Sequence, residues 1–249
     1  MEKHEYAALD AIDRDHWFYR GKRDIVRRWI ERSVQLTKDD LLVDAGVGTG
    51  IWLQEMSATC RVLGLEASEE SLAIARPRVE AAGGRLLKTD LDRIELPDES
   101  ATVVTAMDVL EHLDDDKRAF GELLRITRVG GVIVITVPAL RMLWSDWDVS
   151  LHHRRRYEKR DFEELIRDPR VAVIHCGFFN SVALPAILAI RMLRRFRPLP
   201  AGAQRMEDRV PPQPINALLH AMHVATGSSA WFRPPLGVSL LAVLRRVQA

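Results

Sequence analysis

The chain has 249 residues, 47% of them hydrophobic, and its 36 Lys and Arg nearly balance its 35 Asp and Glu. That length suits one large α/β domain with a substantial core better than two small ones. The near-neutral charge argues against a dedicated nucleic-acid binder, which would carry a basic excess. The two cysteines, Cys60 and Cys176, are far apart and outside any CxxC spacing, so they read as buried thiols rather than a disulfide framework or zinc site. The opening Met1-Glu2-Lys3-His4-Glu5 is charged, with no apolar run behind it, and the longest apolar stretch, residues 182–190, is far short of the ~20 residues that span a bilayer. The expectation is a soluble, cytoplasmic chain without a transmembrane segment, leaving room for peripheral contact with a membrane.

Residues 1–40 carry helical periodicity, with Ile25, Val26, Trp29 and Ile30 set among charges, behind an aromatic and basic cluster, His16-Trp17-Phe18-Tyr19-Arg20-Gly21-Lys22-Arg23. Leu41-Leu42-Val43 then reads as a buried strand running into a glycine-rich turn, followed by a helix over 51–57. A second strand is expected over 61–66, a helix over 69–82 closed by Gly83-Gly84, a third strand over 85–89 and a fourth over 101–106. The helix expected over 114–127 starts acidic and ends with Arg125 and Arg128, as the helix dipole favours. Gly130-Gly131 should turn the chain into a fifth strand over 132–137. Beyond residue 140 the pattern loosens. It suggests a helix over 161–167, a sixth strand over 171–175, an apolar helix over 182–197, a proline-rich connection over 198–214, a short helix over 215–226 and a last strand over 238–244. Alternating strands and helices imply a doubly wound, Rossmann-like parallel sheet with helices on both faces.

The most specific stretch is Val43-Asp44-Ala45-Gly46-Val47-Gly48-Thr49-Gly50. Three glycines between a strand and a helix let the backbone turn tightly and let a ligand approach it closely. Two ligand classes use such a turn. A nicotinamide dinucleotide lays its pyrophosphate on the helix N-terminus, usually over G-x-G-x-x-G. Here the third glycine comes one residue early, and the Asp44 carboxylate would repel a pyrophosphate but attract the ammonium and sulfonium of S-adenosylmethionine. Glu66 ends the second strand, where it can accept hydrogen bonds from a ribose diol, as it could in either cofactor class. Asp90 follows the third strand, placed to accept from an adenine amino group, with the backbone of Leu91 completing the edge. Any one of these acids alone is equally well a solvated strand end. Three at consecutive strand ends on one sheet edge make a stronger case.

With Met107-Asp108-Val109-Leu110-Glu111-His112-Leu113 and Arg128-Val129-Gly130-Gly131 added, residues 40–140 resemble the class I S-adenosylmethionine-dependent methyltransferases, of the ubiE/ubiG-like branch. The resemblance implies a seven-stranded sheet with its last strand antiparallel. It also implies S-adenosylmethionine held by Asp44, Ala45, Gly46, Gly48, Gly50, Glu66, Ala67, Asp90, Leu91 and Met107. The cluster at 16–23 and His153-Arg154-Arg155-Arg156-Tyr157 are similar to the HxWFRxRR opening and GHxRRY segment of a little-characterised bacterial group, which usually has Gly where this chain has His152. That likeness implies an N-terminal lid bringing Tyr19 and Arg20 over the cofactor. The domain is then divided as 1–40 (lid), 41–177 (cofactor-binding core), 178–236 (helical insertion or cap) and 237–249 (last strand).

The expected reaction is methyl transfer to an oxygen or nitrogen of a small-molecule acceptor, one bearing a carboxylate or phosphate if residues 152–160 act as an anion clamp. The alternatives are a lipid-like acceptor and a nicotinamide-dependent oxidoreductase. For the basic segment, the plainer reading is a solvated helix start pairing with Asp161, Glu163 and Glu164. His112, His153 and Tyr157 are the candidates to act on the acceptor, although His112 reads equally well as a helix-packing residue and His153 as a structural loop residue. Trp17, Trp144, Arg155 and Arg156 are the candidates to bind the acceptor; the lid aromatics Trp17 and Tyr19 could instead simply pack on the sheet edge. Asp108, Glu111 and His112 with a later His would offer metal ligands, but adjacent residues 111 and 112 converge poorly within a helix, and no metal is assigned.

Overall fold

In the computed structural model, which describes residues 9–196 and 209–248, seven strands form one sheet in the order β3-β2-β1-β4-β5-β7-β6. They are β1 (Leu41–Ala45), β2 (Arg61–Glu66), β3 (Arg85–Lys88), β4 (Ala101–Met107), β5 (Thr127–Pro138), β6 (Val171–Phe179) and β7 (Ser239–Arg246). The first five are parallel, and β7 runs antiparallel between β5 and β6. This is the expected doubly wound, Rossmann-like arrangement, reversed last strand included.

The sheet is buried on both faces, and side chains alternate between two cores with the strand period of two. Leu42, Val103, Val132, Val134, Leu241 and Val243 pack with Ile25, Val26, Trp29 and Ile30 of α1 (Trp17–Ser33) and Trp52, Leu53 and Met56 of α2 (Ile51–Met56). Ala75 and Val79 of α3 (Glu69–Ala81) complete that side. Val43, Ala45, Val104, Ile133, Ile135 and Ala242 face the other way, onto Ala119, Phe120, Leu123 and Leu124 of α4 (Asp116–Ile126). Phe162 and Leu165 of α6 (Lys159–Leu165), which follows the short α5 (Asp146–Ser150), pack there as well.

Helix ends follow local chemistry. Ser68 caps α3 through Ser71 N–H, and Asp115 caps α4 through Arg118 N–H. At α1 the imidazole of His16 accepts from Phe18 N–H, an unusual cap at the head of the aromatic cluster. Two expectations differ from the structure. The fifth strand begins at Thr127 rather than after the glycine pair, with Gly130 at φ 80° inside it and a register shift opposite Ala101–Val103; the glycines form an irregularity in the ladder, not a separate turn. The sixth strand continues to Phe179 because its later residues keep pairing with β7.

The segment between β6 and β7 contains α7 (Leu184–Phe196) and α8 (Gln213–Gly227); most of its proline-rich connection lies outside the described residues. α8 docks on α1. Asn216 joins Asp15 and Trp17, His220 pairs with Asp24 at 2.8 Å, and Trp29 Nε1 donates to the Gly227 carbonyl at 3.0 Å. The N-terminal helix and the insertion thus form one unit over the same face of the sheet.

Candidate functional site

The carboxyl ends of β1, β2, β3 and β4 lie on one edge of the sheet, which is where doubly wound folds bind their ligands. Gly46, Gly48 and Gly50 all have positive φ, at 84°, 55° and 79°. A Cβ on Gly46 would come within 2.4 Å of Val109 Cγ2, whereas a Cβ on Gly48 would meet nothing within 4 Å. Gly46 is therefore fixed by packing, and Gly48 leaves the turn open on the side from which a ligand can reach the backbone.

Asp44 lies beneath this turn and is 1% exposed. Its Oδ1 accepts from Thr105 Oγ1 at 2.6 Å, and that hydroxyl in turn accepts from Trp52 Nε1 at 3.1 Å. Burial raises the Asp44 carboxyl to about 8 despite the Thr105 bond. Glu66 accepts from Ser68 N–H at 2.9 Å and Ser71 Oγ at 3.0 Å, which fixes its carboxylate while leaving lone pairs free. Asp90 is exposed just past β3, next to the buried Leu91, and Ala67 is exposed after Glu66. Asp44, Glu66 and Asp90 thus stand in a row on the edge, as their places at successive strand ends suggested.

The N-terminal residues cover this edge. Thr49 Oγ1 bonds to Asp13, and Asp13 also pairs with Arg23, which reaches Glu55 at 3.1 Å. Lys22 Nζ lies 2.6 Å from Asp108 Oδ2, at the end of β4 beyond Met107, and 5.2 Å and 5.7 Å from the ring centroids of Phe18 and Tyr19. Burial alone would raise the Asp108 carboxyl, but the Lys22 ammonium and the Thr136 hydroxyl together hold it below its ordinary value. Arg20 is exposed, and the Trp17 ring packs edge-on against His223 at 5.4 Å. The Lys22–Asp108 pair, Asp13 and Thr105 escaped the sequence reading. Only the lysine within the 16–23 cluster and the acid at a strand end gave any signal.

His112 sits on a 3₁₀ turn, Leu110–His112, rather than in an α-helix. Its ring is 4.8 Å from that of His153, edge-on. Burial, then the neighbouring His153, lowers His112 to about 4, so it is neutral at physiological pH. Glu111 is fully buried, neither carboxylate oxygen has a hydrogen-bond partner, and burial with the nearby Asp108 charge pushes its carboxyl well above the usual range. His153 Nδ1 is 3.0 Å from Oδ1 of the fully buried Asp148. Burial would raise Asp148, but the His153 bond and the Arg156 guanidinium hold it at about 2.

The basic segment pairs inward, mostly with acids other than those expected. Arg154 bonds to Asp114, Arg155 to Asp116 at 2.8 Å and Arg156 to Asp148 at 2.7 Å, while Lys159 lies 3.6 Å from Glu163. Tyr157 is 4% exposed in the core, and its hydroxyl donates to Asp116 at 2.7 Å; burial first, then the Asp116 carboxylate, raises its pKa strongly. The structure therefore brings His112 and His153 together and sets Tyr157, Arg155 and Arg156 in internal bonds. Trp144 is 37% exposed next to the second 3₁₀ turn, Arg141–Leu143.

A family model described as a methyltransferase domain matches residues 43–135, from β1 into β5. The chain is 28% identical over 184 residues to the "Probable S-adenosylmethionine-dependent methyltransferase Rv3030" of Mycobacterium tuberculosis, covering 71% of this chain and 64% of that protein. It is 35% identical over 98 residues to the phosphatidylethanolamine N-methyltransferase of Cereibacter sphaeroides, 38% of this chain and 48% of the other. The chain thus spans less than two thirds of these relatives. Among solved structures, the methyltransferase in complex with the Trm112 methyltransferase activator of Haloferax volcanii shares the fold at a TM-score of 0.62 and 20% identity, over 99% of this chain and 98% of that one. From residue 43 to residue 135 the chain therefore matches a methyltransferase domain, and the relative that shares this stretch is named as S-adenosylmethionine-dependent.

Proposed function

We propose that this protein transfers the methyl group of S-adenosylmethionine to an oxygen or nitrogen of a small-molecule acceptor. The observation that carries the reading is the acid row under an open glycine turn, with a buried carboxyl at Asp44, the partner a cationic amino-acid end requires and a pyrophosphate would reject. In this reading Asp44 takes the ammonium group, Glu66 the ribose diol and Asp90 the adenine amino group. The backbone of Ala45, Gly46, Gly48, Gly50, Ala67 and Leu91 lines the cofactor, and Met107 closes its side. Tyr19 and Arg20 belong to the lid formed by the first 40 residues, and residues 178–236 form the cap.

Methyl transfer requires an acceptor held in line with the sulfur–methyl bond and shielded from water. The new bond to the methyl carbon forms as the carbon–sulfur bond breaks, leaving neutral S-adenosylhomocysteine; a hydroxyl or ammonium acceptor also gives up a proton. His112 and His153 stand where they can act on that acceptor, with Trp17 and Trp144 as candidate walls. Arg155 and Arg156 can serve an acceptor anion only by leaving Asp116 and Asp148. The ubiE/ubiG-like branch is the finer placement we favour.

The test is mass spectrometry of candidate acceptors incubated with isotopically labelled donor, together with calorimetric titration of S-adenosylhomocysteine. Asp44→Ala and Glu66→Ala should each weaken the titration at least tenfold. Unchanged affinity in a folded Asp44→Ala protein would sink the reading. A lipid-like acceptor has one observation in its favour: Trp231, Phe232 and Leu236, just before β7, are 95%, 49% and 50% exposed. Co-sedimentation with phospholipid vesicles decides that alternative.

A further inference from the structure

Glu111, His112 and His153 form a side-chain cluster that the cofactor reading leaves unexplained. One donor atom from each lies within 4.8 Å of the others. Glu111 has both carboxylate oxygens buried with no hydrogen-bond partner. The nearest basic atom, His153 Nε2, is 3.9 Å from Glu111 Oε1, too far for a hydrogen bond. A buried polar group without a partner calls for an explanation, and a bound ion is one of the standard ones.

The surroundings are those of metal ligands. A histidine that binds a metal through one nitrogen usually gives its other nitrogen to a carboxylate or a backbone carbonyl, which fixes the ring. His153 has Asp148 in that role, itself held by Arg156 at 2.7 Å. His112 has the backbone of His152. The two chain segments are locked together by Arg154, whose N–H donates to the Glu111 carbonyl at 2.8 Å and whose Nε donates to the His112 carbonyl at 2.8 Å. The 3₁₀ turn resolves the objection that neighbouring residues 111 and 112 cannot converge, since they do not lie in an α-helix.

We infer that Glu111, His112 and His153 bind one divalent transition-metal ion. Two imidazoles and one carboxylate suit zinc, iron or manganese and leave coordination positions open. Ligands ~2.0–2.2 Å from one ion lie ~3–3.5 Å apart, so small side-chain rotations close the set. Val109, two residues before Glu111, packs against Gly46 of the glycine turn, so the ion site adjoins the cofactor edge. Resting on the methyl-transfer reading, the open positions would take a hydroxyl oxygen of the acceptor, whose pKa the ion lowers as a Lewis acid so that its proton leaves to solvent water before the methyl carbon–oxygen bond forms; the imidazoles then hold the ion instead of taking the proton.

The experiment is titration of the metal-stripped full chain with Co²⁺, read by its visible absorption, with Zn²⁺ in competition by calorimetry. One equivalent should bind. Glu111→Gln and His153→Asn should each weaken binding at least 100-fold, and Asp148→Asn, one shell out, 10–100-fold. S-adenosylhomocysteine titration of each variant, expected within about twofold of the parent, shows that the chain is folded. Failure of the parent chain to saturate below millimolar Co²⁺, or equal binding by Glu111→Gln and His153→Asn, overturns the proposal. Loss of S-adenosylhomocysteine binding in the parent chain would instead strike the methyl-transfer reading and leave the metal titration standing.

Discussion

Asp44 shows how one residue's surroundings set its chemistry. Beneath the glycine turn, with a carboxyl raised to about 8, it keeps its proton at neutral pH when no cation is bound. An ammonium group favours the ionised form, so cofactor binding must expel that proton. Affinity for S-adenosylhomocysteine should rise with pH up to about 8, approaching tenfold per unit, and Asp44→Asn should abolish the slope. A flat profile from pH 6 to 8 in the parent chain would remove the proposed contact. The Asp44 side chain at a strand end was legible from sequence, but its raised pKa was not, because that comes from burial by other elements packed over the strand end, which outweighs the Thr105 bond. His152 presents the opposite case. The resemblance flagged it as the residue that replaces a usual Gly, and the backbone there has φ 56°. A non-glycine residue in that region costs ~1–2 kcal/mol, partly offset by the ~0.5–1 kcal/mol that Gly loses to unfolded-chain entropy. His152→Gly should therefore raise stability by ~0.5 kcal/mol, read as a higher urea midpoint with an unchanged m-value; a lower midpoint would show that the His152 side chain outweighs the backbone term.

Between elements, the docking of α1 on α8 depends on a missing side chain. Gly21 lies inside α1, where Ala would ordinarily gain ~1 kcal/mol of helix propensity. A Cβ there would stand 2.6 Å from Cδ2 of the buried His223, and overpacking of this kind costs ~1–3 kcal/mol. The steric effect wins, so Gly21→Ala should destabilise by ~1 kcal/mol or more in chemical denaturation. In a His223→Ala background the same substitution should become neutral or stabilising, since the clash is gone and the propensity gain is left. A cost that persists in the double variant would rule out the clash as its cause. This contact also marks the limit of sequence reading. Strands β1, β2, β4, the core of β5 and β7 were visible because each is a short apolar run with a definite boundary. The partnership of α1 with a helix about 200 residues later left no local trace, because the contacts are made by polar residues, buried Asn216 and His223 and the half-buried His220, and not by an apolar periodicity. The basic stretch at 152–160 was misread for the same reason. Its charges look free along the chain, but Asp114, Asp116 and Asp148 meet them across the fold.

At the scale of the whole molecule, the mixture of buried titratable groups sets a stability optimum. Burial lowers His16, His112 and His175 to about 4 and His223 to about 3, so all four are neutral in the native state and become ordinary imidazoles on unfolding. Asp44 and Glu111 shift the other way and hold protons that the unfolded chain gives up. Near pH 5 the unfolded chain therefore gains four imidazolium protons and loses two carboxyl protons, a net uptake of roughly two, and stability should fall by ~2.7 kcal/mol per pH unit on acidification. Above pH 6.5 the unfolded imidazoles, half protonated at that point, lose their remaining protons and their contribution fades. There the native state binds more protons, through Asp44 and Glu111, so stability should decline by ~1–2 kcal/mol per pH unit toward pH 8. The two limbs put the maximum near pH 6.5–7. Urea midpoints from pH 4.5 to 8, measured at constant ionic strength on protein stripped of metal, should trace this dome. His223→Leu should take about one proton, or ~1.4 kcal/mol per pH unit, off the acid limb. His223 is the clearest probe because both its ring nitrogens are buried without partners, so its contribution comes from desolvation and not from a broken bond. An acid limb left equally steep by that substitution would mean that the unfolding protons come from other groups.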